Sequence, residues 1–210
     1  MFRKASLLVA VLAVMAVVPQ AHAAKGEWNI GLNAGTGIPI SDYKDAAKLG
    51  FMGGVGFDYM ATENFAVGVD GSFTSNSGSD DLEAGLTTLA GTPVTAKFTL
   101  LQGGAHARYL FPMASESSIS PYILGGAGIY NVKAKLESSN ASYNGDDSSS
   151  KFGVRGGLGL MYKTSEKVGI GVEGAFHWIN TKDDATGATA TQFIGLQAAV
   201  SIGMGNPSSH

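Results

Sequence analysis

The sequence contains no cysteine, which excludes a disulfide framework and a thiolate metal site. Only 15% of its residues are charged and no basic run occurs, so nucleic acid is not an expected partner. After residue 23 no segment reaches 18 consecutive apolar residues, which excludes a transmembrane helix there. Glycine is abundant instead, at 30 of 210 residues, about twice the usual share of roughly 7%. It has no strict three-residue period, so a collagen-like chain is excluded as well.

Residues 1–23 have the pattern of a secretory signal peptide. Arg3 and Lys4 give a positive start, an apolar stretch follows from Leu7 to Val18, and small residues stand near position 23. This stretch is shorter than the roughly 20 residues of a spanning helix, which disfavours the alternative of a retained anchor. We therefore expect export by the Sec route and cleavage after Ala23.

In the rest of the chain, apolar side chains alternate with glycine and polar residues, and this period of two predicts β-strands. Val168, Ile170 and Val172, for example, alternate with glycines and Glu173. The connections are alternately short and long, and an even number of strands joined in this way is typical of an outer-membrane β-barrel. We predict eight strands, at residues 26–38, 50–60, 65–75, 95–111, 119–136, 151–163, 167–181 and 191–204.

The two faces of these strands differ in a way that favours a membrane barrel over a soluble one. Large apolar side chains occupy one face, and the other carries mostly Gly, Ala and Ser with scattered ionisable groups. A soluble barrel needs its apolar face inside, whereas lipid accepts that face outside. The sequence therefore predicts an all-β, eight-stranded, antiparallel up-and-down transmembrane barrel. Two lipid-facing aromatic belts are expected, formed by Trp28, Tyr59, Phe65, Tyr109, Phe111, Tyr122 and Tyr162 at the short-turn end, and by Phe51, Phe73, Tyr130, Phe152 and Trp178 at the long-loop end.

The phrase SPYILGGAG at 120–128, with the signal peptide and the eight strands, resembles the small outer-membrane barrels of the OmpA/OmpX type. The resemblance covers residues 24–205 and implies an integral protein of the cell outer membrane in a Gram-negative-type envelope. It implies as partners the outer-membrane lipid and lipopolysaccharide, the barrel-assembly machinery and periplasmic chaperones. Two departures stand out. Such barrels usually end in an aromatic residue used in assembly, whereas this one ends without it before a short tail at 206–210, and no peptidoglycan-binding domain like that of full-length OmpA is expected.

Polar and charged side chains of both signs project onto the predicted inward face. Arg155 and Glu173 are expected to pair across the tight turn between the sixth and seventh strands, and His177 to lie nearer the surface without an evident partner. The alternative is a gate on a path for a small ion or water. The expected ion-pair network consists of Asp58, Asp70, His106, Arg108, Arg155, Glu173 and His177, and the same face carries Asn29, Asn33, Gln102, Gln197 and Ser201.

Glu173 and His177 are also the first candidates for catalysis, because on a helix they would form an acid/base or metal pair. On a strand they lie about 13 Å apart, at roughly 3.3 Å per residue, too far for a hydrogen bond. Outer-membrane lipid A deacylases carry a surface-facing His-x-Ser, but here the phrase reads His177-Trp178-Ile179. We expect no enzymatic activity, no catalytic residue, no cofactor and no resident metal, and lipid A modification stays the last alternative.

The long loops carry the remaining candidates. Their paired carboxylates could contact divalent ions that bridge to the anionic outer leaflet, although acidic loop residues are usually only solvated. Leu82, Leu86 and Leu89 have helical spacing, which predicts a short amphipathic helix within 81–89. We expect a structural envelope role, with surface interaction such as adhesion to an extracellular partner through these loops, and a narrow small-solute conduit as the first alternative. The paired carboxylates are Asp80, Asp81, Asp146, Asp147, Asp183 and Asp184.

Overall fold

The computed structural model describes residues 25–112, 118–181 and 190–204. The expected signal peptide with its cleavage site at Ala23, the pair Asp183 and Asp184, and the tail at 206–210 lie outside the described residues, and the boundaries 24–205 of the barrel remain a prediction. The strands are β1 (Trp28–Ile40), β2 (Gly50–Met60), β3 (Phe65–Ser77), β4 (Val94–Leu110), β5 (Ile119–Ser138), β6 (Gly145–Lys163), β7 (Val168–Ile179) and β8 (Thr191–Gly203).

Each strand pairs antiparallel with its sequence neighbours, and β8 returns to pair with β1 from Asn29↔Gly203 to Ile40↔Gln192. This pairing closes the sheet, so no strand is left with an unpaired edge. The prediction of a closed, eight-stranded, antiparallel up-and-down barrel is therefore confirmed.

Most of the large apolar side chains point away from the lumen. Leu158 is 68% exposed and Leu101 is 58% exposed on the outside, whereas His177 is 0% exposed and Asp58 only 6%. This inverted burial suits a barrel wall that faces lipid, because the hydrocarbon replaces the protein core that a soluble fold would need.

Tyr122 and Tyr130 are the exceptions to the predicted aromatic belts. Both are 2% exposed and face the lumen, so their assignment to the lipid face was wrong. Ile123 and Ile129 point outward on β5, and residues an odd number of positions away from them point inward. The belts themselves remain, since Trp28, Phe65, Tyr109 and Phe111 at one end and Phe51, Phe73 and Phe152 at the other are all exposed on the outside.

Three neighbouring strands are longer than the rest at the long-loop end. β4, β5 and β6 contain 17, 20 and 19 residues, against 11 to 13 for the other five. β6 begins at Gly145 rather than near 151, so Asp146 and Asp147 belong to the strand ladder opposite Lys135 and Ala134, and their placement in a loop was wrong. The sequence carries no apolar alternation there because both faces of this extension are in contact with water. A 3-10 turn, Ala141–Tyr143, lies in the remaining connection.

Two short helices lie at the same end, α1 (Tyr43–Ala46) and α2 (Asp80–Ala90). The helix predicted within 81–89 is confirmed by α2, which begins after Ser79, whose hydroxyl accepts the backbone N–H of Leu82 at 3.2 Å. It ends at Ala90 and is capped by Gly91, whose φ of 67° is the left-handed conformation that favours glycine. No helix among the described residues is long and apolar enough to cross a membrane.

Candidate functional site

The centre of the lumen contains a histidine held between two carboxylates. His106 Nε2 lies 2.7 Å from Asp58 Oδ1 and His106 Nδ1 lies 2.8 Å from Asp70 Oδ1. The register makes this possible, because Gly68 on β3 stands between Asp58 on β2 and His106 on β4. Since Gly68 has no side chain, the imidazole can reach past β3 to a carboxylate two strands away.

Two arginines extend this cluster in opposite directions. Arg155 Nη2 donates to Asp70 Oδ1 at 2.5 Å, and Arg108 Nη1 donates to Asp58 Oδ2 at 3.0 Å. Arg108 Nη2 also lies 3.9 Å from Glu173 Oε2. These six charged side chains, Asp58, Asp70, His106, Arg108, Arg155 and Glu173, are called the charge network below.

Tyr122 completes the charge network at its short-turn end. Its hydroxyl donates to Glu173 Oε2 at 2.9 Å, and the Arg108 guanidinium carbon lies 4.7 Å from the centre of its ring. A cation over an aromatic face is stabilised by the ring quadrupole. Because Tyr122 points inward rather than toward lipid, it can contact both Glu173 and Arg108 of the charge network.

The charges of this network balance when His106 is an imidazolium. Both ring nitrogens face carboxylate oxygens, and only the doubly protonated ring can donate to both. Two arginines and the imidazolium then match Asp58, Asp70 and Glu173. Balanced, hydrogen-bonded charges avoid the large cost of an unpaired ion in a poorly hydrated interior.

The predicted pair of Arg155 with Glu173 was wrong. Arg155 stands opposite His177 and Glu173 opposite Gly159, so the two residues are offset by four positions along the β6–β7 ladder. Arg155 instead reaches Asp70 on β3, a strand that is not its neighbour. The lumen of an eight-stranded barrel is narrow enough for side chains to meet across it, and reasoning from adjacent strands alone cannot find such a pair.

The expectation for His177 was also wrong, because this residue is neither near the surface nor without a partner. It is fully buried, its Nδ1 lies 3.0 Å from the Tyr130 hydroxyl, and its ring stacks on Phe193 with centroids 4.3 Å apart. His177 therefore lies outside the charge network and against apolar neighbours.

These neighbours belong to an apolar plug that fills the long-loop end of the lumen. Tyr43 of α1 folds into the mouth, and its hydroxyl donates to Asn76 Oδ1 at 3.3 Å. Burial raises the pKa of the Tyr43 phenol, so this hydroxyl keeps its proton and remains a donor. The sequence reading missed the plug because it described the inward face as small and polar. The plug consists of Tyr43, Ala47, Met52, Leu100, Tyr130, Ile179 and Phe193, with Phe98 and Val132 packed against it.

Two cavities occupy the polar half of the lumen. One of about 50 Å³ borders the charge network, and one of about 70 Å³ lies at the short-turn end near Lys163 and Lys167. They share Asp58, Arg108 and Tyr122 as lining residues. Among the described residues, the buried side-chain atoms without a protein hydrogen-bond partner are Asn33 Oδ1, Asp70 Oδ2, Arg108 Nε, Gln197 Oε1 and His177 Nε2, and the first four belong to residues that line the 50 Å³ cavity. A cavity of this size and polarity has room for water that would satisfy them.

Among the described residues, the acidic side chains predicted to contact divalent ions lie outside the lumen, apart from the charge network. Asp80 lies 2.6 Å from Lys48 Nζ, and Asp146 lies 2.6 Å from Lys133 Nζ. In the described part of the chain no group of three or more His, Asp or Glu side chains could hold a metal ion. Contacts of Asp80, Asp81, Asp146 and Asp147 with divalent ions therefore stay a prediction.

A closed barrel with an apolar outer face, aromatic belts and a charge-balanced interior defines a transmembrane β-barrel of the outer-membrane type. The chain belongs to the outer membrane protein beta-barrel domain family, whose model matches residues 7–204. Membership in this family implies location in the outer membrane.

Solved structures of other outer-membrane proteins have the same fold. Neisserial surface protein A is 19% identical with a TM-score of 0.53, over 83% of this chain and 96% of the other. Ail of Yersinia pestis, solved with the heparin analogue sucrose octasulfate, is 14% identical with a TM-score of 0.53, over 86% and 99%. OprG of Pseudomonas aeruginosa is 16% identical with a TM-score of 0.53, over 89% and 100%. At these identities the likeness shows the fold alone, and no curated protein matches the chain.

Proposed function

We propose that this chain is a non-enzymatic structural protein of the outer membrane that acts through its extracellular surface, by adhesion to a partner. The observation that carries this proposal is the apolar plug, which closes the lumen at the long-loop end while the loops and strand extensions remain outside it. In outer-membrane barrels the longer loops face the exterior. A barrel with such an interior would act by binding partners at its extracellular surface.

The plug weighs against the alternative of a solute conduit. Leu100, Ile179 and Phe193 are at most 2% exposed, and they lie in the lumen between the charge network and the long-loop end. The specific observation in favour of a conduit is the pair of cavities that lie beside the charge network and at the short-turn end. This half of the lumen can hold water, whereas apolar side chains pack in the lumen beyond it.

The position of His177 weighs against the alternative of lipid A modification. An enzyme acting on a lipid needs its nucleophile and base at the lipid-facing surface, and His177 is enclosed in the lumen between Tyr130 and Phe193. Incubation of the purified barrel with lipid A is expected to leave its acyl chains unchanged, as measured by mass spectrometry. Loss of an acyl chain would contradict the proposal.

Planar-bilayer recordings test the closed lumen. We expect no conductance from the wild type, and none from Arg155→Ala, because the plug persists when the cross-lumen pair with Asp70 is lost. A variant combining Arg155→Ala with Tyr43→Ala and Phe193→Ala removes the cross-lumen pair and two aromatic rings of the plug, and it is expected to conduct. Conductance in the wild type would contradict the closed lumen and favour the conduit.

Adhesion is tested with otherwise non-adherent cells that display the barrel. We expect cells with the wild type to bind a surface coated with extracellular matrix several times more than cells without it. Replacement of residues 139–144 by a short Asn-Gly turn should reduce binding, whereas Glu166→Gln in a periplasmic turn should not. Equal binding by cells with and without the barrel would refute the proposed surface role.

A further inference from the structure

The outer ends of β4, β5 and β6 form a ledge that rises above the rest of the barrel at the long-loop end. It consists of residues 94–99, 131–138 and 145–151, which pair in register from Val94↔Ser138 and from Leu136↔Gly145. Because side chains alternate along each strand, the outer side of this ledge continues the lipid-facing side of the barrel wall.

Three lysines share that outer side. Lys97 on β4 lies an even number of residues from the outward-pointing Leu101 and therefore shares its face. In the same way, Lys133 and Lys135 on β5 share the face of Ile129. Lys97 is the direct cross-strand partner of Lys135, and Lys133 is one step further along the same face. Like charges directly opposite each other destabilise a sheet. We call Lys97, Lys133 and Lys135 the lysine patch.

Acidic neighbours compensate this charge only in part. Lys133 Nζ lies 2.6 Å from Asp146, and Lys135 Nζ lies 2.5 Å from Glu137, with all four side chains substantially exposed. Lys97 has no ion pair within 4 Å among the described residues. The three lysines with these two acids therefore keep one net positive charge.

The height of the lysine patch decides what it faces. The outward-pointing Leu101, Ile129 and Phe152 below it are each more than half exposed and mark the upper edge of the apolar band. Lys133 is four residues beyond Ile129, about 13 Å along the strand and roughly 9 Å in height at a strand tilt near 45°. A lysine stem can extend its ammonium toward the membrane surface, which brings the patch to the level of lipid headgroups.

We propose that the lysine patch binds the phosphate groups of a phosphorylated glycolipid in the outer leaflet. The ammonium groups supply charge-assisted hydrogen bonds. Thr99 and Ser148, the cross-strand partners of Lys133 on either side, supply hydroxyl groups on the same face. The sideways orientation, directly above the apolar band, favours a membrane lipid over a free anion, which would approach from the solvent above the lumen. This inference rests on location in the outer membrane and not on the proposed adhesion.

Thermal unfolding of the detergent-solubilised protein with bisphosphorylated lipid A tests the proposal. The probe is expected to raise the Tm of the wild type in a concentration-dependent way. The variant with Lys97→Gln, Lys133→Gln and Lys135→Gln should bind about 100-fold more weakly, given about fivefold for each of the three lysines near an anionic surface. A matched control with Lys25→Gln, Lys44→Gln and Lys167→Gln makes the same change in net charge elsewhere and should bind like the wild type.

Two further arms identify the ligand chemistry and its source. Lipid A without its phosphates should shift the Tm of the wild type and of the patch variant equally, and millimolar inorganic phosphate should not compete. The proposal would be overturned if the patch variant and the control variant lost the same affinity for bisphosphorylated lipid A. It would also be overturned if the wild type bound dephosphorylated lipid A as tightly as bisphosphorylated lipid A. Competition by inorganic phosphate would overturn the choice of a lipid. If the lysine patch binds bisphosphorylated lipid A as expected but the displayed barrel does not promote adhesion, only the proposed function would be refuted.

Discussion

Replacement of Asp70 by alanine is expected to lower the free energy of unfolding by about 3–5 kcal/mol, the usual cost of breaking a buried ion pair by removing one partner. Asp70 Oδ1 receives hydrogen bonds from Arg155 at 2.5 Å and from His106 at 2.8 Å, and the three side chains are at most 11% exposed. Without the carboxylate, Arg155 would remain buried without its counter-ion, and His106 would keep only Asp58 as a carboxylate partner. Urea unfolding in lipid vesicles measures the loss.

Asp80→Ala provides the matched control, because it removes an aspartate from an ion pair that is exposed to solvent, with Lys48 at 2.6 Å. Exposed pairs contribute about 0–1 kcal/mol, so this variant should unfold almost like the wild type. Addition of Arg155→Met to Asp70→Ala should recover part of the loss, since it removes the uncompensated charge. Equal losses from Asp70→Ala and Asp80→Ala would show that the charge network does not stabilise the barrel.

The second large effect is expected from Gly68→Ala. A methyl group at this position would clash with the backbone oxygen of Phe57 and lie 2.7 Å from Asp58 Oδ1 and 2.9 Å from His106 Cε1. It would therefore disturb the β2–β3 ladder and separate His106 from Asp58. We expect a loss of about 3 kcal/mol or more, the upper part of the range for overpacking, because backbone cannot yield as a side chain can. Urea unfolding and the yield of the heat-modifiable, folded band on gels measure the effect.

Gly71→Ala on the same strand is the control. Gly71 faces lipid, and its nearest contact for an added methyl group is an ordinary 3.6 Å to the Gln102 carbonyl oxygen. Alanine restricts the unfolded chain more than glycine does, so this variant should be neutral or slightly more stable than the wild type. A barrel that tolerates Gly68→Ala as well as Gly71→Ala would contradict the role of Gly68 in making room for His106.

The strands could be predicted because their signal is local. Val168, Ile170 and Val172 alternate with small or polar residues, and such alternation is the direct consequence of side chains pointing to opposite faces. The signal failed where both faces of a strand are in water, so the start of β6 at Gly145 was not predicted. It also failed for Tyr122 and Tyr130, because an aromatic residue near a strand end is compatible with a lipid belt or with the lumen.

The members of the charge network could be predicted one by one, but their partners could not. Asp70 and Arg155 are 85 residues apart on strands that are not neighbours, and their contact exists only because the barrel closes. His106 reaches Asp58 only because a glycine stands between them. Neither of these two contacts can be predicted from the spacing of the residues along the sequence.

The sequence by itself determined the class of protein, the number of strands and the lipid-facing side of the wall, since each of these follows from the period of two and from the lengths of the connections. Glu173 and His177, which looked like a pair in the sequence, belong to different parts of the lumen. Only the tertiary structure decided that Glu173 joins the charge network and that His177 packs into the apolar plug. The physical reason is that strand register and barrel closure, which depend on the whole sheet, determine which inward side chains meet.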